Sequence, residues 1–268
     1  MRFGIWAFIR LESFWRPKRS IASTLSKCEK VILKLQPGKS QYTLTVRRIA
    51  AFKIALDLIE RELNKMTIRL EEPKDYREVE TLTREAFWNK YRPGCMEHYV
   101  LHCYRDRPEF VKELDYVMEE DGKIIAHIMY SRAQIAADDG RIVPIIIFGP
   151  VSVLPEMQGK GYGGRLIRYT LDLAAKMGCG AVAITGDPDY YHRFGFVSGS
   201  RLGVYYDGIP RSEESPFFMV KELKVGFLRG VTGIYKDPEG YFVEDAAVDA
   251  FDAGFPPKEK KKLPGQLV

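Results

Sequence analysis

The stretch FGPVSVLPEMQGKGYGGRLI, residues 148–167, decides how the rest of the chain is arranged. Residues 145–153 are apolar and rich in β-branched side chains, which predicts a strand that Pro155 ends. Residues 165–177 have helical spacing and are followed by glycines, so they predict a helix. The loop QGKGYGG, residues 158–164, lies between the two elements. Its glycines let a ligand approach the backbone, and the first N–H groups of the helix are free, so this loop predicts an anion site suited to phosphate.

The same loop also fits a dinucleotide-binding pattern. Gly159, Gly161 and Gly164 form G-x-G-x-x-G, and Asp187 follows at about the distance expected of a ribose-binding acid. In a dinucleotide unit, however, the first glycine follows the strand almost at once. Here residues 154–158 intervene, and this spacer argues against a nicotinamide-dependent oxidoreductase.

Two further patterns fit together better. Gln158, Gly161 and Gly163 form Q-x-x-G-x-G, and the sequence GDPDYYHRFGF follows at residues 186–196. This pair resembles the GNAT superfamily of acyl-CoA-dependent N-acyltransferases over about residues 66–223. The second motif resembles the variant found in a group of uncharacterised bacterial members. The alternative is an unrelated strand, loop and helix.

The resemblance implies a fold, a reaction and a set of site residues. The expected fold is α/β (α+β), with a mixed, mostly antiparallel twisted sheet, helices on both faces and a splayed pair of parallel strands. The expected reaction transfers acetyl from acetyl-CoA to a primary amine, on a small molecule or a protein, by direct attack; a homodimer is left open. The residues that the family pattern assigns to acetyl-CoA are Val151, Ser152, Val153, Gln158, Gly159, Lys160, Gly161, Tyr162, Gly163 and Gly164.

Tyr191 is the candidate catalytic residue. It stands four residues before Gly195, where the family carries a tyrosine that protonates the departing thiolate. Tyr190 is the neighbour with which it could be confused. The alternative role for Tyr191 is a core aromatic that packs against Phe194 and Phe196.

Gly149 and Pro150 interrupt the strand that precedes the loop. Proline cannot donate a hydrogen bond to a sheet, so a bulge is expected here, freeing main-chain groups of Val151 and Val153. In the family the equivalent groups hold the pantetheine amides and the acyl carbonyl, and free N–H groups would also stabilise a tetrahedral oxyanion. The alternative is a simple edge or kink.

Charge is distributed unevenly along the 268 residues. Residues 1–65 hold 14 Lys and Arg against 5 Asp and Glu, a net charge of +9, whereas the remaining 27 against 31 give −4. The basic character therefore belongs to the N-terminal extension, and we expect no nucleic-acid partner for the catalytic part. Four cysteines without framework spacing favour the reducing cytoplasm.

These patterns divide the chain into an N-terminal extension at 1–65, a catalytic domain at 66–223 and a C-terminal tail at 224–268. Residues 3–14 are apolar but too short and too charged to span a membrane. Residues 45–65 predict an amphipathic helix whose stripe consists of Val46, Ile49, Phe52, Leu56, Ile59 and Leu63. The extension is either a targeting segment or a surface that meets acidic lipid, or an upstream stretch of little function outside the catalytic fold.

The remaining elements are expected in the order of the family. Strands are predicted at 67–70, 116–119, 123–132, 181–184, 201–205, 217–223 and 227–235, and helices at 75–87 and 96–105. The strand at 181–184 should run parallel to that at 145–153, because a helix connects them. Residues 256–262 are expected to be solvated and loose.

The base that deprotonates the amine is not fixed by any motif. Glu156, His127 and Glu119 are candidates, with Glu156 better explained as a solvated surface acid. Cys95, His98 and His102 share one helix face, which could hold a metal, but the spacing suits no known zinc module and no metal is predicted. A packed helix face, or a wall of the amine pocket with Tyr91 and Tyr99, explains that spacing better. A CoA-binding module without turnover is the alternative to an enzyme.

Overall fold

The computed structural model describes residues 12–64 and 66–267, with side chains at 18–60 and 66–267. Residues 3–11 of the aromatic N-terminal segment lie outside this range. The described chain begins with a helical hairpin, α1 (Glu12–Ile32) and α2 (Ser40–Asn64). Helix α2 contains the amphipathic helix predicted at 45–65, except for Lys65, which also lies outside the described residues. No helix in the described part of the chain combines the length and apolarity needed to cross a membrane.

The two helices of the hairpin run antiparallel. Lys18 pairs with Glu60 at 3.2 Å, and Lys53 pairs with Glu29 at 3.3 Å. The predicted stripe is only partly correct, since Val46 is 41% exposed; the side chain of Leu63 is not described. Ile59 is buried together with Met66 at the start of the sheet, so the hairpin packs on the domain at its base.

A nine-stranded sheet forms the centre of the rest of the chain. Its main path runs β1-β2-β3-β4-β5-β8-β6, with β9 paired to β3 and β7 paired to β9. All pairs are antiparallel except β4 with β5 and β7 with β9. The strands are β1 (Met66–Leu70), β2 (Tyr116–Glu120), β3 (Lys123–Ala137), β4 (Ile142–Val153), β5 (Ala181–Thr185), β6 (Val197–Ser198), β7 (Val204–Tyr206), β8 (Phe218–Glu222) and β9 (Gly233–Tyr235).

Helices cover both faces of the sheet, as predicted. They are α3 (Tyr76–Phe87), α4 (Glu97–Tyr104), α5 (Tyr162–Lys176), α6 (Pro188–Tyr191) and α7 (Asp245–Asp252). Successive side chains of a strand point to opposite faces. On β3, the Tyr130 hydroxyl lies 2.9 Å from Thr170 of α5, whereas the Ser131 hydroxyl donates to Tyr104 of α4 at 3.4 Å. Helix α5 therefore lies on one face and α4 on the other.

The parallel strands β4 and β5 separate after a short contact. They pair only at Ile146 with Val182 and at Ile147 with Ala183. Beyond this point β4 continues along β3, and β5 continues along β8. The splayed parallel pair expected from the sequence is therefore present, and it opens toward the glycine loop.

The C-terminal part of the chain differs from expectation. Residues 199–202 form a 3-10 turn before the short strand β7, and of the strand predicted at 227–235 only β9 forms. The segment 256–262 is largely exposed but held in place: Lys258 pairs with Glu85 at 2.7 Å, and the Trp88 indole N–H donates to the Glu259 carbonyl at 3.0 Å. The composition of residues 256–262 predicts a loose chain. Contacts with residues at α3 and just after it, which lie far away in sequence, hold the segment in place.

Candidate active site

The glycine loop has the geometry of an anion site. Gly159 and Gly161 have φ of +73° and +86°, a left-handed conformation that favours glycine. Because Gly161 caps α5, this helix begins at Tyr162, three residues earlier than predicted. The first intrahelical bond runs from the Arg165 N–H to the Gly161 carbonyl at 3.0 Å. The N–H groups of residues 162–164 therefore have no acceptor within the helix, and they lie at its positive end.

The predicted bulge is present in β4. Ile128 of β3 pairs with Val151 and Tyr130 pairs with Phe148, so two residues of β4, Gly149 and Pro150, stand opposite one residue of β3. The Tyr241 hydroxyl donates to the Gly149 carbonyl at 3.0 Å. A residue of the C-terminal tail thus holds the bulge, and no motif in the sequence had indicated Tyr241.

The edge of β4 beyond the bulge faces the space that β5 leaves open. The Leu154 N–H donates to the Ile125 carbonyl of β3 at 3.0 Å. Since main-chain groups alternate in direction along an antiparallel strand, the groups of Val151 and Val153 point away from β3 and toward this space. The Gln158 side chain donates to the Val153 carbonyl at 3.0 Å, which connects the loop to the strand edge.

The other residues assigned to acetyl-CoA lie around this edge with different exposures. The Ser152 hydroxyl is buried and donates to Thr83 of α3 at 2.9 Å, so its side chain lies away from the open edge. Lys160 contacts the Met157 sulfur at 3.3 Å. A methyl group at Gly163 would come within 3.3 Å of both the Tyr190 hydroxyl and Val153. A side chain at position 163 would therefore be crowded by Tyr190 and Val153, and glycine avoids this contact.

Tyr190 and Tyr191 point to different parts of the site. Both lie at the end of α6, whose first turn is capped by Asp187 accepting from the Asp189 N–H at 2.9 Å. The Tyr190 hydroxyl reaches Gly163 at the start of α5. The Tyr191 ring instead packs on Gly186 at the end of β5, where a methyl group would lie 2.6 Å from Cε2, and its centroid is 5.9 Å from that of Phe148 on β4.

The environment of Tyr191 keeps its hydroxyl protonated. Its ring also lies 6.0 Å from the Phe196 ring and 6.3 Å from the Phe194 ring, centroid to centroid. Burial among these rings raises the pKa of Tyr191 above its usual range. Tyr191 thus packs between the two diverging strands, as the core-aromatic role predicts, and its role as an acid stays a prediction.

The three base candidates have distinct surroundings. Glu156 is solvated, with 61% of its side chain exposed, and pairs with Lys123 at 3.4 Å. Glu119 pairs with Arg69 at 3.0 Å. His127 is fully buried on β3, and its Nε2 lies 2.7 Å from Asp115. Burial lowers the pKa of His127 to about 4, so its imidazole is neutral at pH 7.

His127 belongs to a buried polar cluster that sequence reasoning missed. Glu71, Asp115 and His127 each place one ligand atom within 4.8 Å of the others, an arrangement that could hold a cation. Arg105, however, binds Glu71 through two nitrogens at 2.7 and 3.0 Å. The guanidinium therefore already balances the negative charge of this carboxylate, which a cation would otherwise do. Burial raises the pKa of both carboxyl groups. The cluster is a buried polar network that connects the end of β1, the start of β2 and β3.

The face of α4 with the Cys95, His98 and His102 side chains is a packing surface. His98 Nδ1 lies 3.3 Å from the Cys95 sulfur, but its Nε2 lies 3.2 Å from Asp252, at the end of α7. His102 instead contacts Glu80 of α3 at 2.9 Å. The side chains diverge toward different partners, so the packed-face interpretation is correct.

Comparison with known proteins agrees with this geometry. Residues 67–198 match the family model described as an acetyltransferase (GNAT) domain. The matched region, just under half of the chain, is thus similar to a GNAT acetyltransferase domain. Its relatives include the uncharacterised N-acetyltransferase YjhQ of Escherichia coli K12, 38% identical over 84 residues. That alignment spans 31% of this chain and 45% of the relative, less than half of its length.

Two solved structures have a similar fold. The GNAT family N-acetyltransferase YhbS of Escherichia coli, in complex with CoA, is 26% identical with a TM-score of 0.57. A GNAT family acetyltransferase of Brucella melitensis, in complex with acetyl-CoA, is 28% identical with a TM-score of 0.52. Each comparison covers 66% of this chain, and they cover 91% and 98% of the other chains. The fold similarity thus spans nearly all of both relatives.

Proposed function

We propose that this protein is an N-acetyltransferase that transfers acetyl from acetyl-CoA to a primary amine by direct attack. The observation that carries the proposal is the opening between β4 and β5. The edge of β4 and the start of α5 border this space, and the Tyr191 ring packs on Phe148 of β4 and on Gly186 after β5. Each supplies a group that acyl transfer from a thioester requires.

The glycine loop would bind the pyrophosphate of acetyl-CoA. The backbone N–H groups of Gly163 and Gly164 in the first turn of α5 offer donors, and the helix N-terminus offers partial positive charge. The pantetheine arm would then extend along the edge of β4, pairing with the main-chain groups of Val151 and Val153. The crystallised complexes of the two structural relatives with CoA and acetyl-CoA support this choice of co-substrate.

The reaction then needs an oxyanion donor and an acid. Attack of the neutral amine on the thioester carbonyl gives a tetrahedral oxyanion, which a free N–H of the bulged β4 edge would stabilise. Collapse breaks the C–S bond and releases the CoA thiolate. Tyr191 would donate its proton to that sulfur, and because burial raises its pKa and makes it a weaker acid, the transfer would depend on placement close to the sulfur. The base that removes the amine proton is left unassigned, because His127 is fully buried and its lowered pKa makes it a weak base.

The acceptor is proposed only as a primary amine, on a small molecule or a protein. All four cysteines are free, which agrees with a reducing compartment such as the cytoplasm. The deciding experiment incubates the purified chain with acetyl-CoA and a panel of amines, and follows release of the CoA thiol. Amine-dependent thiol release supports the proposal. Tight acetyl-CoA binding without release with any amine would identify a binding module instead.

A further inference from the structure

The hairpin tip, residues 27–44, combines exposed apolar side chains with a high density of lysine. Leu33 in the connecting turn is 86% exposed, Val31 at the end of α1 is 49% exposed and Leu44 on α2 is 50% exposed. The same segment contains Lys27, Lys30, Lys34 and Lys39 against a single acid, Glu29. Glu29 pairs with Lys53, so it does not neutralise the tip lysines.

The tip lies at the far end of the hairpin from the catalytic domain. The apolar hairpin residues that pack on the core of the domain are Ile59, near the end of α2, and Ile21, in the middle of α1. At a rise of 1.5 Å per residue, the 25 residues of α2 span about 37 Å between the base and the tip. A surface bound by the tip would therefore not need to cover the opening between β4 and β5.

We propose that the hairpin tip docks the protein on an anionic lipid surface. Exposed leucine and valine side chains ringed by lysines match an interface in which apolar groups enter the acyl boundary and ammonium groups meet lipid phosphates. The charge pattern supports this occupant. The hairpin is net positive, with 11 Lys and Arg against 5 Asp and Glu in residues 12–64, and residues 66–268 carry −4. An anionic surface thus attracts the hairpin and repels the rest of the chain.

A second copy of the hairpin is a less suitable occupant. Residues 12–64 carry a net charge of +6, so two hairpins would repel one another on close approach. In contrast, each lysine near an anionic bilayer strengthens binding about fivefold. Even a single myristoyl chain gives only reversible membrane binding, so the tip is a peripheral contact and not an anchor.

The experiment measures binding of the full chain to sedimented vesicles. We expect binding to phosphatidylcholine vesicles that contain about 30% phosphatidylglycerol, weak binding to pure phosphatidylcholine, and a strong decrease between about 0.05 M and 0.5 M salt. Replacing both Lys30 and Lys34 by Gln should weaken binding about twentyfold. Leu33→Ser should weaken it by about tenfold.

Val225→Ser is the matched control, because Val225 is 94% exposed but lies on the catalytic domain, in the loop after β8. It should bind like the parent chain, and unchanged melting curves should confirm that all variants fold. Equal binding to both vesicle types, or a Leu33→Ser variant that binds like Val225→Ser, would overturn the proposal. A dimer in light scattering that Leu33→Ser dissociates would instead assign the tip to self-association, and overturn it equally.

Discussion

Replacement of Tyr191 by Phe tests the proposed mechanism most directly. The change deletes one hydroxyl and keeps the ring that contacts Phe148, Phe194 and Phe196. Packing between the two diverging strands should therefore survive, and the melting temperature should stay close to that of the parent chain. Only the proposed proton donor for the thiolate is removed.

The expected loss is large and confined to turnover. General acid catalysis typically contributes about 10²–10⁴-fold, equivalent to about 3–5 kcal/mol of barrier. Tyr191 packs on Gly186 at the end of β5, whereas the free N–H groups of the loop lie at the start of α5. Acetyl-CoA affinity should thus change little while kcat falls by that factor.

Tyr190→Phe is the control that the chain itself provides. Its hydroxyl reaches Gly163 beside the proposed pyrophosphate site, so its loss should alter acetyl-CoA affinity modestly and leave kcat almost unchanged. The assay is steady-state thiol release with a good acceptor, together with calorimetric titration of acetyl-CoA. If Tyr191→Phe retains the parental kcat, water or another residue protonates the thiolate and the assignment is wrong.

Three further predictions test the site, the packed helix face and the domain boundary. Gly161→Asp places a carboxylate and a left-handed strain at the cap of α5, so acetyl-CoA binding by calorimetry should be lost; undiminished binding would contradict the phosphate role of the loop. His98 is fully buried and its pKa is lowered to about 4, so the fold loses stability as pH falls from 6.5 to 4. His98→Phe should lack this loss, so over that range its free energy of unfolding in urea titrations should gain up to about 3 kcal/mol relative to the parent chain. An equal pH dependence of the two chains would refute this. A chain that starts at Met66 should fold and bind acetyl-CoA with a modestly lower melting temperature, since only Ile21 and Ile59 of the described hairpin residues pack on the core; insolubility would show that the hairpin belongs to the domain.

Features governed by local rules could be predicted from the sequence. Glycine and proline restrict the backbone wherever they occur, so the loop at 158–164, the bulge at Gly149 and the end of the helix near Gly178 follow from residue type alone. The parallel arrangement of β4 and β5 follows from the helix that joins them.

Features fixed by distant partners could not be predicted. Residues 227–235 are apolar enough for a long strand, but only β9 finds partners, on β7 and on the end of β3 far from β2. The segment 256–262 looks disordered by composition, yet Glu85, more than 170 residues earlier, holds Lys258. The buried cluster of Glu71, Asp115 and His127 joins three strands, and no spacing within one segment reveals it.

The hydrogen bond from Tyr241 to Gly149 makes the C-terminal tail part of the structural unit that forms the site of this protein. The family match ends at residue 198. The Gly149 carbonyl at the bulge is nevertheless held by the hydroxyl of Tyr241, which lies 92 residues after Gly149. A C-terminal truncation that removes Tyr241 would leave every family motif intact and still release the strand edge from its outer support. Proteolytic removal of this tail, or a chimera that ends at residue 198, would therefore keep the motifs and lose the hydrogen bond that holds the bulge.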